Sequence, residues 1–311
     1  MSGPGPIASG LLLALEHPRT WLLALAAFLI RGGIVLFLLP VVVLPTPTGV
    51  GNAVGADLAS FVFGGPSARL ILIALAAIGT LTVWLVGGGL AAAIAELELV
   101  RIALEADDRP GRVAPSALAA GRIVVARAIC HVPLALVVAV GTVRLVSATY
   151  AELVRPGDMA IPVVFRVAAA VPDVLIGLTA GLVIGQLLGA LATRRLALGS
   201  TSILGAVGWS LRRILRRPAG TLGAFLVPLV GSVAALAPML MGAAIAWRGV
   251  SQLLRAGADP AAVAAGMLLF VVVWTSGLLI AGLAAAWRSA TMTLEVAREP
   301  VVAPDVRGMR A

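Results

Sequence analysis

Residues 70–95 contain no charged side chain and little besides leucine, isoleucine, valine, alanine and glycine. Crossing about 30 Å of hydrocarbon takes about 20 helical residues. Lipid accepts only backbone whose N–H and C=O groups are bonded internally. A membrane-spanning helix is the structure such a run can adopt. Five more runs obey the same logic, at residues 21–44, 131–148, 171–193, 222–247 and 262–287. Charged residues make up 12% of the 311 positions and apolar ones 60%, whereas soluble domains carry about 25% charged residues. The chain reads as an all-α membrane protein with six transmembrane helices.

The connecting segments fill out this plan. Residues 1–10 are rich in Gly, Pro and Ser and are expected to be disordered. Residues 11–297 form the membrane domain, and residues 298–311 a mobile tail whose polar character begins at Arg288. Short interfacial helices are expected at 11–16, 115–129 and 202–217, and another on the outer surface at 53–63. The second span continues as a more polar helix over 96–108. Pro228 and Pro238 are expected to interrupt the fifth span. No basic segment precedes the first apolar run, so no cleaved signal peptide is expected.

All 23 basic residues are arginine. A lysine-free chain rich in Ala, Gly and Arg suggests a GC-rich bacterial genome, and with it the inner cell membrane. Most arginines fall on one side of the six spans. Arg101, Arg109, Arg112, Arg122 and Arg127 lie between spans two and three, and Arg194, Arg195, Arg212, Arg213, Arg216 and Arg217 between spans four and five. The positive-inside rule then places both termini in the cytoplasm. Such a bias explains the basic balance without nucleic acid. Cys130 is the single cysteine, which excludes an intrachain disulfide and a Cys-based zinc cluster.

An internal repeat is visible. A short helix and a proline precede each odd-numbered span, at His17-Pro18, His131-Val132-Pro133 and Arg217-Pro218. Gly89-Leu-Ala-Ala-Ala93 recurs as Gly282-Leu-Ala-Ala-Ala286, with Gly189-Ala-Leu-Ala192 as a weaker copy. The expected architecture is three parallel-repeated hairpins, each preceded by an elbow helix. This layout resembles that of bacterial six-span proteins, among them the membrane domain that accompanies some glycerophosphodiester phosphodiesterases and related families of unknown function. The resemblance implies a membrane domain over residues 11–297 and carries no catalytic residue with it.

Gly177, Gly181, Gly185 and Gly189 recur at every fourth position of the fourth span. Small residues at this spacing make a flat seam for close helix packing, expected to lock the hairpins together. Intramembrane polar residues are the stronger lead to function. At 1.5 Å per residue Arg31 lies roughly 18 Å above Arg19, Thr82 roughly 21 Å above Glu96, and Gln186 roughly 12 Å from Arg194. Ser276, with Thr275 beside it, comes out roughly 18 Å from Arg288, and Asp173 close to the outer edge. Asp173 therefore suits Arg144 or Arg166 as a partner. Arg31 is left without an acid at its own depth and is expected to face hydroxyls, carbonyls and water. It acts either as a helix clamp or as a contact for an anionic group. On the 202–217 helix, Arg212, Arg213, Arg216 and Arg217 form a basic set opposed to Ile203, Leu204, Val207, Leu211, Ile214 and Leu215, a pattern suited to anionic headgroups.

No nucleotide-binding, hydrolase or metalloprotease motif occurs, and His17 and His131 both sit at elbows. No catalytic residue, metal site or cofactor is expected. Two functions remain in competition. One is a non-catalytic membrane module that contacts the bilayer, anionic headgroups or a membrane or cytoplasmic protein partner. The other is a transporter or channel component for a small solute, anions among the candidates. A membrane-embedded lipid enzyme is the weakest reading.

Overall fold

A computed structural model describes residues 5–42, 46–108, 115–155, 157, 161–199 and 202–298. Among them there are helices and no strand. In chain order these are α1 (Pro6–Glu16), α2 (Arg19–Phe28), a π-turn (Leu29–Gly33), α3 (Ile34–Leu38), α4 (Pro47–Phe63) and α5 (Ala68–Val83). A second π-turn (Trp84–Gly88) leads into α6 (Gly89–Ala106), followed by α7 (Ala117–Cys130), α8 (Val132–Val154), α9 (Val163–Ala170) and α10 (Pro172–Leu198). The last three are α11 (Ile203–Arg216), α12 (Pro218–Arg255) and α13 (Pro260–Ala297). Six stretches are long and apolar enough to cross a membrane: Arg19–Leu38, Ala68–Ala106, Val132–Val154, Pro172–Leu198, Pro218–Arg255 and Pro260–Ala297. These helices mark a multipass membrane protein. Arg109, Arg112 and the tail beyond Arg298 lie outside the described residues.

Several boundaries differ from expectation. The first helix begins at Pro6 instead of residue 11. Pro228 and Pro238 both lie inside the continuous helix α12. Breaking the helix there would strand more backbone groups in lipid than proline itself removes. The interruption falls in the first span instead, where Gly32 adopts φ +102° within the π-turn. Glycine alone takes that conformation without a Cβ clash. Residues 288–297 were expected to start the polar tail, yet they continue α13, with Ser289, Ala290, Thr291, Met292, Thr293, Leu294 and Val296 buried. Hydroxyls can enter a core by bonding their own helix, as Thr293 does by donating to the Ser289 carbonyl at 2.8 Å.

The chain divides into two compact units. The first comprises Met1–Val41, Gly87–Arg127 and Leu188–Ala311. Within it α13 packs along α12 and also against α1, α2 and α6. Tryptophans fix these crossings. Trp21 Nε1 donates to the Ala14 carbonyl at 2.6 Å, Trp287 Nε1 to that of Ile7 at 3.0 Å, and Trp274 Nε1 to that of Phe37 at 2.9 Å. Trp21 thus ties α2 to α1. Ala93, Leu97, Val100 and Leu104 of α6 meet Ala120 and Ile123 of α7 in a separate apolar cluster.

The second unit comprises Val42–Val86 and Ala128–Leu187. Here α10 lies against α8 along the glycine seam. A Cβ at Gly177 would come 3.0 Å from Val137 Cγ1, one at Gly181 3.0 Å from Leu134 Cα, and one at Gly185 2.8 Å from His131 Cδ2. Gly189 falls in the first unit and accepts a bond from Thr193 at 2.7 Å through its carbonyl. The seam therefore closes one hairpin, α8 on α10, where it was expected to join separate hairpins. Consecutive spans meet first, and Gly141 of α8 answers the seam by receiving Val174 of α10. Arg144 pairs with Asp173, and Arg166 with Glu152 at 2.8 Å.

Candidate functional site

The first unit gathers its buried charge on one carboxylate. Residues Ala92, Ala93, Glu96, Leu97, Val100 and Leu104 share the buried face of α6. Glu98, Arg101 and Glu105 lie on the other faces and pair with one another, Arg101 with Glu98 and with Glu105 at 3.4 Å. Helical spacing thus separates Glu96 from the acids around it and turns it inward among apolar neighbours. A lone carboxylate buried there would cost several kcal/mol unless paired.

Three guanidiniums from three segments meet it. Arg31, within the π-turn, donates from Nη2 to Glu96 Oε2 at 2.5 Å. Arg127 of α7 donates from Nη2 to both carboxylate oxygens at 2.8 Å. Arg194 of α10 donates from Nη1 to Glu96 Oε1 at 2.5 Å. Further bonds orient the arginines. Arg127 Nε donates to Thr193 Oγ1 at 3.3 Å, and Arg194 Nη2 to Ser289 Oγ at 3.1 Å. Arg194 and Glu96 side chains are 4% and 5% exposed, while those of Arg127 and Arg31 are 15% and 25% exposed. The centre is closed on one side and opens towards Arg31.

The depth count left Arg31 without an acid, and the structure corrects this. The polar continuation of the second span is present, α6 running to Ala106, but Glu96, taken as its inner anchor, is itself buried. The π-turn and the long arginine side chain bring Arg31 level with it. The hydroxyls expected around Arg31 go elsewhere. Thr82 bonds the Ile78 carbonyl at 2.8 Å and Ser276 that of Val272 at 2.8 Å, each within its own helix. Thr275 is exposed, and Gln186 is half-buried in the second unit.

The charge count is uneven. Three guanidiniums face one carboxylate, a surplus of two positive charges. Arg288 of α13 adds to it: the adjacent Ser289 accepts from Arg194 at 3.1 Å, which brings Arg288 within electrostatic range of Arg194, Glu96 and Arg31. Burial pulls the Arg127 guanidinium down from its usual range to about 9, opposed by Glu96 and reinforced by Arg31 and Arg194. The pattern is that of a centre with more cation than its one acid compensates.

The basic helix α11 is sorted differently from its reading by charge. Arg213 is buried and donates to Glu295 Oε1 at 2.8 Å and to the Glu295 carbonyl at 2.9 Å. It also lies over Trp209, 5.2 Å from the ring centre, with Arg195 over the same ring at 5.1 Å. Arg213 is therefore withdrawn from the headgroup set. The positions 206, 210 and 213 are all buried and recur at helical spacing, so they define the inner face. Arg212, Arg216 and Arg217 are exposed, as are Leu204, Leu211 and Leu215.

No protein family model, curated protein or solved structure matches the chain. The chemistry has to come from the residues themselves. Among the described residues no three His, Cys, Asp or Glu side chains gather as metal ligands. Glu96 accepts from three guanidiniums at once, which suits it to holding helices and cations in place.

Proposed function

We propose that this chain is a non-catalytic membrane module that engages anionic lipid headgroups through α11. The single observation behind this is the exposure pattern of that helix. Leu204, Leu211 and Leu215 are exposed together, and Arg212 and Arg216 stand exposed beside them. An apolar face dipping below the headgroups with cations alongside is the design of an interfacial helix. The Arg213–Glu295 pair holds α11 to the end of α13, so the basic edge is presented by a fixed element. The orientation that suits this places α11 and both termini on the cytoplasmic side.

Each arginine near an anionic surface contributes about 1 kcal/mol. Reversing Arg212 and Arg216 together (R212E/R216E) should therefore lower retention of anionic lipid by about tenfold or more. Native mass spectrometry of protein released from mixed neutral and anionic nanodiscs measures this. Equal retention by variant and wild type would refute the proposal. If lipid retention is unchanged while capture of an acidic protein partner is lost, α11 docks a protein instead.

The π-turn that carries Arg31 favours a second reading, passage of a small anion. Irregular helices inside membranes often line substrate paths. In proteoliposomes Arg31→Ala should then abolish anion flux, and unchanged flux would remove this reading.

A further inference from the structure

The surplus charge around Glu96 points to a ligand of its own. We propose that Arg31, Arg127, Arg194 and Arg288 form a binding site for a phosphate-type dianion, free or carried on a lipid headgroup. This goes beyond the headgroup contact of α11 and does not depend on it, since it involves other residues.

Charge and hydrogen-bonding capacity both support the assignment. The three paired guanidiniums exceed Glu96 by two charges and Arg288 makes the surplus three, so a phosphate monoester, with about two negative charges near neutral pH, is offset in full. Buried cations without counter-ions are expensive, and intramembrane charges are paired or functional. Each guanidinium has five N–H donors, whereas one carboxylate offers about four acceptor sites. Unused donors remain. Arg194 Nε is buried and has no hydrogen-bond partner. Arg288 is half-buried, and no carboxylate lies in ion-pair contact with it among the described residues. Arginine's planar fork matches phosphate oxygens in pairs.

Access is confined to one side. Arg31 is the most open member of the centre. At the neighbouring Gly32 a Cβ would meet nothing within 4 Å outside its own turn, so no other element packs against the backbone there. An anion entering there would meet Arg31 first, with Glu96 retained as the acid that holds Arg127 and Arg194 in place.

The test uses the full-length protein in neutral-lipid nanodiscs, where thermal stability is followed against inorganic phosphate or chloride at matched ionic strength. Phosphate should raise the melting temperature of wild type and chloride should not. Arg31→Gln and Arg288→Gln should each weaken the apparent phosphate affinity by at least about tenfold, the loss of one charge-assisted contact. Arg288→Gln is the safer variant, because among the described residues it removes no ion pair. Nanodiscs doped with phosphatidic acid distinguish the sources. Selective retention of that lipid, lost in Arg288→Gln, identifies a headgroup, and a response to inorganic phosphate alone identifies a soluble anion. Equal effects of phosphate and chloride on wild type would overturn the proposal, as would a phosphate response unchanged in both variants. R212E/R216E reports on α11 separately, so either site can fail without the other.

Discussion

Replacing Glu96 with alanine should cost about 3–5 kcal/mol, the range found when one partner of a buried ion pair is removed. Few other substitutions in this chain should do as much damage. Glu96 is buried, and its two oxygens accept from Arg31, Arg127 and Arg194. Alanine would leave three guanidiniums close together with no acid between them. The lost attraction turns into mutual repulsion in a medium of low dielectric. The damage would reach the helix contacts, because the three arginines stand on the first span, α7 and α10. Glu96→Gln keeps one carbonyl acceptor and should fall between wild type and alanine. Reversible unfolding in mixed detergent micelles measures the difference. A Glu96→Ala stability within about 0.5 kcal/mol of wild type, the usual range of harmless surface changes, would contradict this expectation.

The second large effect is steric and comes from glycine. A Cβ at Gly282 would lie 2.8 Å from the Trp21 carbonyl oxygen, and one at Gly10 would lie 2.7 Å from the Thr291 backbone nitrogen. In each case the obstacle is backbone, which no rotamer change can move away. Gly282→Ala and Gly10→Ala should each cost about 1–3 kcal/mol, as overpacking usually does. Gly79 and Gly223 provide the contrast, since a Cβ there meets nothing within 4 Å. Alanine at those sites should be neutral or stabilising by up to about 1 kcal/mol, because it is the better helix former. The same unfolding titration across the four variants reads the contrast. Equal effects at crowded and open glycines would mean that α13 does not pack as closely on α1 and α2 as described.

The six spans were legible because hydrocarbon thickness and backbone satisfaction leave an uncharged apolar run little choice. That Asp173 has its partner at the outer edge, in Arg144 or Arg166, was legible for a similar reason, and the structure selects Arg144, with Arg166 on Glu152. The partner of Arg31 was not. Counting gave depth along a straight helix from assumed anchors, and two of its assumptions fail here. Glu96 is a buried ion-pair centre and not an anchor at the inner surface, and Arg31 stands in a π-turn with Gly32. A signal was nonetheless present. Glu96 lies at helical spacing from Ala92, Ala93 and Val100, the small and apolar residues that mark an inner face, and Glu98 does not. Arg213 was misplaced in the same way. It was grouped with Arg212, Arg216 and Arg217 by charge, although its spacing from Ala206 and Ser210 assigns it to the buried side. The proline expectation failed because a rule drawn from water was applied in lipid, where keeping the helix intact matters more.

The centre depends on the bond between Glu96 and Arg194 inside the membrane domain. A double-mutant cycle tests it most directly, comparing Glu96→Gln, Arg194→Gln and the double variant in the micelle unfolding assay. Two buried groups in hydrogen-bonded contact should couple by about 1–3 kcal/mol, with the double variant far less damaged than the sum of the single ones. Additivity of the two single effects within about 0.5 kcal/mol would show that the two side chains do not meet, and the account of the centre would fall with it.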